Sequence, residues 1–281
     1  MSNVTRRDAI RAVGLGLTAA IAAGTAKVGV GADAAANLAN PAMIEGAEAW
    51  KYAVVDPKQV ADDAYENYSV GRCMHTTFKA IVENVADALA EKDPLAAQQM
   101  KSFPFHMMRY GGSGANGFGS LCGAVNAAMA AIGLFVSDGD TRKALCNEIG
   151  WFYERTLLPV YKPEDARDEQ DYPQTIANSL LCHISSGKWA GVAQVKTNSP
   201  ERTERCSRLS ADLAQKVAEL LNQNLAALNS ADVAPVVSLK RAQPTATCVS
   251  CHDKSGTNAD MIGTSACSEC HPDYDVEHSA R

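Results

Sequence analysis

The chain has 281 residues, with 26 Lys and Arg against 32 Asp and Glu, and a formal net charge of −6. That acidic balance gives no electrostatic case for nucleic acid as a partner, and no stretch reaches 18 unbroken apolar residues, so no integral membrane span is expected in the mature chain. Nine Cys and six His are the residue types that carry chemistry here.

The N-terminus pairs Arg6 with Arg7 and follows them with a short, Gly- and Ala-rich apolar stretch over 12–26. A basic n-region before a weak apolar h-region reads as an export signal of the twin-arginine kind, occupying 1–36, with small residues suited to cleavage at 24–26 and at 34–36. The stretch is too short and too rich in glycine to serve as an anchor before Lys27. Removing 1–36 takes away four basic and two acidic residues, leaving 22 against 30 and a net charge of −8. The expected product is an exported, periplasmic protein.

Residues 37–228 read as one helical domain. Cys73, Thr77, Ile81, Val85 and Leu89 recur every fourth residue. Cys122, Val125, Met129, Ile132 and Val136 keep a three–four spacing, as do Cys206, Leu209, Leu213, Val217 and Leu220. Ser199-Pro200-Glu201 is a helix start, with Ser as N-cap and Pro in the first turn. A further helix is expected over 148–158, around Trp151-Phe152-Tyr153. Sustained period-two alternation is missing, so the fold class is all-α. Composition shifts to Ser, Ala, Val and Pro over 229–247, a linker, and 248–281 is a short, little-structured tail.

That tail holds two Cys-x-x-Cys-His motifs, Cys248-Val249-Ser250-Cys251-His252 and Cys267-Ser268-Glu269-Cys270-His271. The spacing is that of c-type haem attachment, in which the two thiols add to the porphyrin vinyls and the next His ligates the iron. Cys248, Cys251, Cys267 and Cys270 are therefore the candidate haem attachment residues, with His252 and His271 as proximal ligands and two haem c per chain. The same four Cys also fit the spacing of a structural zinc ribbon. A ribbon has no use for a His after each pair, and in a chain with six His among 281 residues that repetition argues for haem. The tail is also too poor in large apolar residues to build a core of its own, whereas two haems supply one.

Five further Cys remain, at 73, 122, 146, 182 and 206, an odd number that forbids complete internal pairing. Cys146 reads as a small buried hydrophobe. Cys73 and Cys122 are expected near helix starts and Cys206 in the first turns of the last helix, all facing inward, where the helix dipole favours thiolate. Inward thiols in that arrangement fit a metal or iron–sulfur group.

Two weaker patterns are set aside. Gly112-Ser113-Gly114-Ala115-Asn116-Gly117 matches the dinucleotide fingerprint but follows no buried strand, and is read as a loop that lets backbone approach the cysteine site. The acidic run over 164–171 lacks the spacing of a calcium loop and is read as a solvated connection.

The run from Gly111 to Gly119, followed by Cys122-Gly123-Ala124 and flanked by Cys73, Cys182 and Cys206, resembles the C-GCAxxG-C-C family of redox proteins. With the two haem motifs appended, and with Phe103-Pro104-Phe105-His106-Met107, Leu181-Cys182-His183-Ile184-Ser185, Lys188-Trp189 and Arg205-Cys206-Ser207-Arg208-Leu209, the chain resembles the split-Soret cytochrome c family. That resemblance implies a homodimer with two c-type haems per subunit, each with two His ligands, and an iron–sulfur site in the helical domain held by Cys73, Cys122, Cys182 and Cys206. The sequence departs from the pattern at Asn126-Ala127, where the family has Gly, and at Ala190, where similar proteins carry Cys.

Each haem iron then needs a distal ligand. His183 lies in the segment that resembles the cytochromes, and His278 follows the second haem motif; His75 and His106 are held in reserve, and Met is the other ligand type. The expected function is electron transfer between redox partner proteins, at the low potential of bis-His haem. A haem-dependent reductase of a small substrate is the alternative, although no acid–base constellation calls for catalysis, and a zinc-bound structural protein is a remote one.

Overall fold

The computed structural model describes residues 49–167, 171–240 and 252. Seven α-helices occur among them, and none is long and apolar enough to cross a membrane. In chain order they are α1 (Pro57–Glu66), α2 (Tyr68–Leu89), α3 (Pro94–Lys101), α4 (Gly123–Phe135), α5 (Gly139–Arg155), α6 (Cys182–Ala193) and α7 (Pro200–Gln223), with a 3-10 helix at Phe105–Gly111 between α3 and α4. Strand pairing among the described residues is limited to two isolated bridges, Leu121 with Leu181 and Leu158 with Thr175. The all-α expectation holds.

Capping residues set the helix starts. Asp56, Asp93, Asp138 and Ser199 each accept a backbone N–H of the first turn, and Pro57, Pro94 and Pro200 follow three of these caps, where their missing N–H costs nothing. The predicted start at Ser199 is therefore observed. The helix expected at 148–158 begins earlier, because the Asp138 cap sets its start, and it ends at Arg155.

The 24-residue α7 is the central element and packs against α1, α2, α4 and α5, while α2 bridges α1, α3, the 3-10 helix and α4. Cys73, Thr77, Ile81, Val85 and Leu89 are all buried along α2, as are Cys206, Leu209, Leu213, Val217 and Leu220 along α7. On α4 the stripe is buried except at Met129, which is half-buried. Trp189 of α6 is fully buried, donates from Nε1 to Pro173 O at 2.8 Å and stacks on Tyr172.

Two connections are bound more firmly than composition implied. The acidic residues Glu164, Asp165 and Asp171 are exposed as expected, but Arg167 among them donates to Tyr65 O (2.6 Å), Ser207 Oγ and buried Glu204, with its guanidinium 4.2 Å from the Tyr65 ring centroid. The segment read as a linker is held to the body as far as Lys240. Asn224 pairs with both N–H and C=O of Val236, buried Glu148 accepts from the N–H groups of Ser238 (3.1 Å) and Leu239 (2.7 Å), and Arg155 donates to Lys240 O at 2.7 Å.

Asp212, on α7, accepts from the backbone N–H groups of Val160 (3.1 Å) and Tyr161 (2.8 Å). Burial nevertheless outweighs these bonds and pushes its carboxyl up from 3.8 to about 7. A carboxyl whose folded value is raised contributes stability that is fully present below its unfolded value, about pH 4, and is lost as pH climbs through about 7. Urea unfolding midpoints of the unmodified chain are expected to fall between pH 5 and pH 8 relative to those of Asp212→Asn, which cannot ionise; parallel pH curves for the two proteins would contradict this.

Candidate functional site

Four separate elements bring four thiols to one place. α2 is broken at Arg72, whose φ of 66° and ψ of −173° leave the helical region, so Cys73 begins the second helical segment. Cys122 is the N-cap of α4 and Cys182 the first residue of α6, while Cys206 lies two turns into α7. Three of the four thiols thus sit at helix N-termini, where unpaired N–H groups and the helix dipole favour negative charge. The expected placement of Cys73 and Cys122 at helix starts is observed, with Cys182 as a third case, but burial outweighs the expected stabilisation of thiolate at Cys73 and Cys122.

Backbone pairing aligns two of these starts. Cys122 N–H donates to Leu180 O (2.8 Å), Cys182 N–H to Ser120 O (2.7 Å) and His183 N–H to Gly119 O (3.0 Å), so the loop before α4 lies alongside the residues that open α6. The glycine-rich loop makes that approach feasible. At Gly114 (φ +65°) a Cβ would stand 2.8 Å from Cys182 Cβ, at Gly119 (φ +74°) 2.9 Å from His183 Cβ, and at Gly123 2.3 Å from Gly111 O and 2.6 Å from Cys73 Sγ. The loop therefore brings backbone against the cysteine site, as expected, and is no dinucleotide fingerprint.

The thiols act on one another electrostatically: Cys122, Cys182 and Cys206 on Cys73, Cys206 on Cys122, and Cys122 and Cys206 on Cys182. Burial is the largest influence and holds Cys73 and Cys122 above the usual thiol range, with Cys182 pushed up to about 12; the neighbouring thiols add to the rise at all three. Opposing it, the Ser113 N–H faces Cys73, and the N–H groups of Ala124 and Val125 face Cys122. Cys146 lies apart; burial pushes it up to about 11, opposed only by Arg142. All five described Cys are free thiols.

Polar groups to which the sequence reading assigned no role at the thiols complete the site. Arg205 is buried, with Nη1 3.9 Å from Cys206 Sγ and Nη2 donating to Ser185 Oγ at 2.9 Å. Arg202, half-buried, also donates toward Cys206. The hydroxyl of Tyr153 faces Cys122, and Tyr68 is buried close to Cys73 and Cys206; burial drives both phenols well above their ordinary range. The adjacency of Arg205 to Cys206 was legible, but no periodicity indicates that the guanidinium turns inward.

Whether these residues fit an iron–sulfur group turns on the donor set. Four thiols converge, three of them buried and Cys182 half-buried, yet no group of three or more His, Cys, Asp or Glu among the described residues is arranged to hold a metal ion. Sulfur ligands of one zinc ion all stand about 2.3 Å from it, which demands a tighter convergence. A group of several atoms, bridged by inorganic sulfide, spans a wider set of thiols than a single ion does, and Arg205 Nε, next to Cys206 in the chain, is buried without a hydrogen bond.

His183 follows Cys182 directly but is exposed, between α6 and the loop that carries Phe118, itself 91% exposed. Leu181, on the other side of Cys182, is 41% exposed. A His beside exposed apolar side chains fits a flat apolar ligand brought from outside. His106 is exposed on the 3-10 helix; His75 is buried, its Nδ1 has no hydrogen bond, and burial, then Arg109 and Lys79, hold its pKa low. Cys248, Cys251, Cys267, Cys270, His271 and His278 lie outside the described residues, and His252, which is described, is half-buried.

Comparison with known proteins identifies the chain's relatives. Residues 72–220 match the family model described as "Putative redox-active protein (C_GCAxxG_C_C)". The split-Soret cytochrome c of Desulfovibrio desulfuricans is 33% identical over 282 aligned positions, covering 96% of this chain and 95% of that protein. The chain belongs to the split-Soret cytochrome c family. A solved structure described as a novel iron centre in the split-Soret cytochrome c from D. desulfuricans ATCC 27774 superposes with a TM-score of 0.70 at 30% identity, covering 79% of this chain and 90% of that one. A redox, electron-transferring cytochrome c that uses haem and iron follows for this member of the family.

Gly123→Ala tests the close approach that assembles the thiols. Its Cβ would overlap Gly111 O and Cys73 Sγ, so a stability loss of about 1–3 kcal/mol is expected, together with reduced thiol-bound iron. Wild-type melting and wild-type iron content in this variant would contradict the geometry.

Proposed function

We propose that the chain is an exported, periplasmic dihaem c-type cytochrome that passes electrons between redox partner proteins, and that its helical body carries a separate iron–sulfur site. The single observation behind this reading is the placement of consecutive residues. Cys182 turns toward the other three thiols, while His183 stays exposed on the next peptide unit. One helix start therefore serves a thiol site inside and a haem-ligand position outside.

In this reading Cys248, Cys251, Cys267 and Cys270 attach two haems, His252 and His271 are the proximal ligands, and His183 and His278 are the distal ones. Cys73, Cys122, Cys182 and Cys206 hold the iron–sulfur group. Haem supplies a one-electron couple; the chain's residues fix ligation, exclude water and set the separation of the centres. Two imidazoles per iron favour a low potential and leave no open coordination position, which supports a carrier over a small-molecule reductase. The homodimer is part of the proposal, with the exposed face around His183, Phe118 and Leu181 as its natural contact region.

Export by the twin-arginine route fits the same scheme. That route carries folded proteins, so the helical body would acquire its thiol-bound group before export and the tail would receive haem afterwards. Replacing Arg6-Arg7 by Lys-Lys is then expected to abolish periplasmic haem protein, and undiminished periplasmic protein would refute the route.

A pyridine haemochrome assay is expected to give two haems per chain, and a smaller count would overturn the dihaem reading. His183→Ala should keep both covalent haems while converting one to a high-spin species in the reduced spectrum. An unchanged low-spin spectrum would remove His183 as a distal ligand.

A further inference from the structure

Arg205 presents an electrostatic puzzle in the helical body. It is 2% exposed, its Nε has no hydrogen-bond partner, and Nη2 is held by Ser185, one turn after Cys182. Nη1 points at Cys206 Sγ from 3.9 Å. The adjacent Glu204 is committed elsewhere, accepting from Tyr65 Oη at 2.7 Å, Arg208 Nε at 2.9 Å and Arg167 Nη1 at 3.3 Å. Asp212, the carboxylate that feels Arg205, spends its oxygens on the N–H groups of Val160 and Tyr161. A guanidinium keeps its charge at any physiological pH, and leaving it buried without a counter-ion costs several kcal/mol.

We propose that Arg205 is the fixed counter-charge of the thiol-held iron–sulfur group and raises its reduction potential. The inference rests on the iron–sulfur reading given above. Four thiolates contribute four negative charges, and an oxidised core carrying two positive charges leaves a net two negative. Arg205, fully buried, and Arg202, half-buried and also directed at Cys206, supply two positive charges against it, of which the buried one is the less screened. Reduction adds one electron to the group, with no bond made or broken in the chain, so the negative charge beside Arg205 grows by one. A fixed cation in a medium of low dielectric stabilises that reduced state more than the oxidised one. Ser185 acts as the positioning residue, since its hydroxyl holds Nη2 and leaves Nη1 directed toward Cys206 Sγ.

The test compares holoprotein purified anaerobically as wild type, Arg205→Lys and Arg205→Met, with iron and acid-labile sulfide counted per chain and the group titrated by dithionite under EPR. Arg205→Met is expected to lower the reduced-to-oxidised ratio at fixed potential at least tenfold, which is 59 mV for one electron. Arg205→Lys keeps the charge and should stay within about threefold of wild type. A variant with full iron and sulfide and an unmoved potential overturns the proposal. Loss of the group from Arg205→Met but not from Arg205→Lys supports it; loss from both assigns Arg205 a structural role and overturns it. Metal-free chains give a second arm. There Arg205→Met removes an uncompensated buried charge and should melt at or above wild type, and a fall of more than about 4 °C counts against the proposal. Wild type with no thiol-bound iron or sulfide refutes the iron–sulfur reading itself, an outcome distinct from a loaded site whose potential ignores Arg205.

Discussion

The arrangement of this protein depends on gathering groups that can carry charge at the edge of an apolar core: four thiols, three of them buried and Cys182 half-buried, two buried phenols and a buried guanidinium at the meeting of four chain segments. Neutral thiols pack there as small hydrophobes, whereas hydrophobic packing alone would exclude the guanidinium. The α2, α4 and α7 stripes supply the apolar burial, and the thiols occupy the end of that core where helix N-termini converge. N–H groups left unpaired at those termini offer partners to a negative charge, while Gly111 O accepts from the neutral Cys73 thiol at 3.9 Å. The same geometry that terminates the core thus makes it receptive to negative charge.

Strain and close approach make the convergence attainable. Arg72 in a positive-φ conformation restarts α2 so that Cys73 heads a helix, which a continuous α2 would not allow. The loop over 112–119 has φ above zero at Ser113, Gly114, Ala115, Asn116, Gly117 and Gly119, a compact turn that carries backbone against Cys182 and His183. Such conformations cost free energy at each non-glycine position, and sites of this sort concentrate where function requires a particular placement. The pairing of 119–122 with 180–183 then locks two of the helix starts together.

Much of this was legible in the sequence, for identifiable reasons. Helical stripes and proline-marked starts are local, so α2, α4 and α7 and the inward orientation of Cys73, Cys122 and Cys206 could be read from spacing alone. The glycine loop was also readable, because its Gly content had no strand or βαβ context to explain it. What could not be read depends on partners distant in sequence. The break at Arg72 is a tertiary compromise with no propensity signal. Arg167 in an acidic run looks solvated until Tyr65 and Glu204 are placed beside it. The segment at 233–240 has the composition of a linker, and only the positions of Asn224, Glu148 and Arg155 show that it is fastened.

That fastening has a consequence for the haem motifs. Seven residues lie between Lys240, whose carbonyl is bonded, and Cys248, and at about 3.6 Å per step the backbone of the first proposed attachment residue is covalently limited to roughly 29 Å from that anchor. A tether of that length keeps the attachment segment at an effective concentration in the millimolar range relative to its own body. On the function proposed above, contacts between haem and body can be weak individually and still persist, and the exposed groups around His183 need supply only orientation.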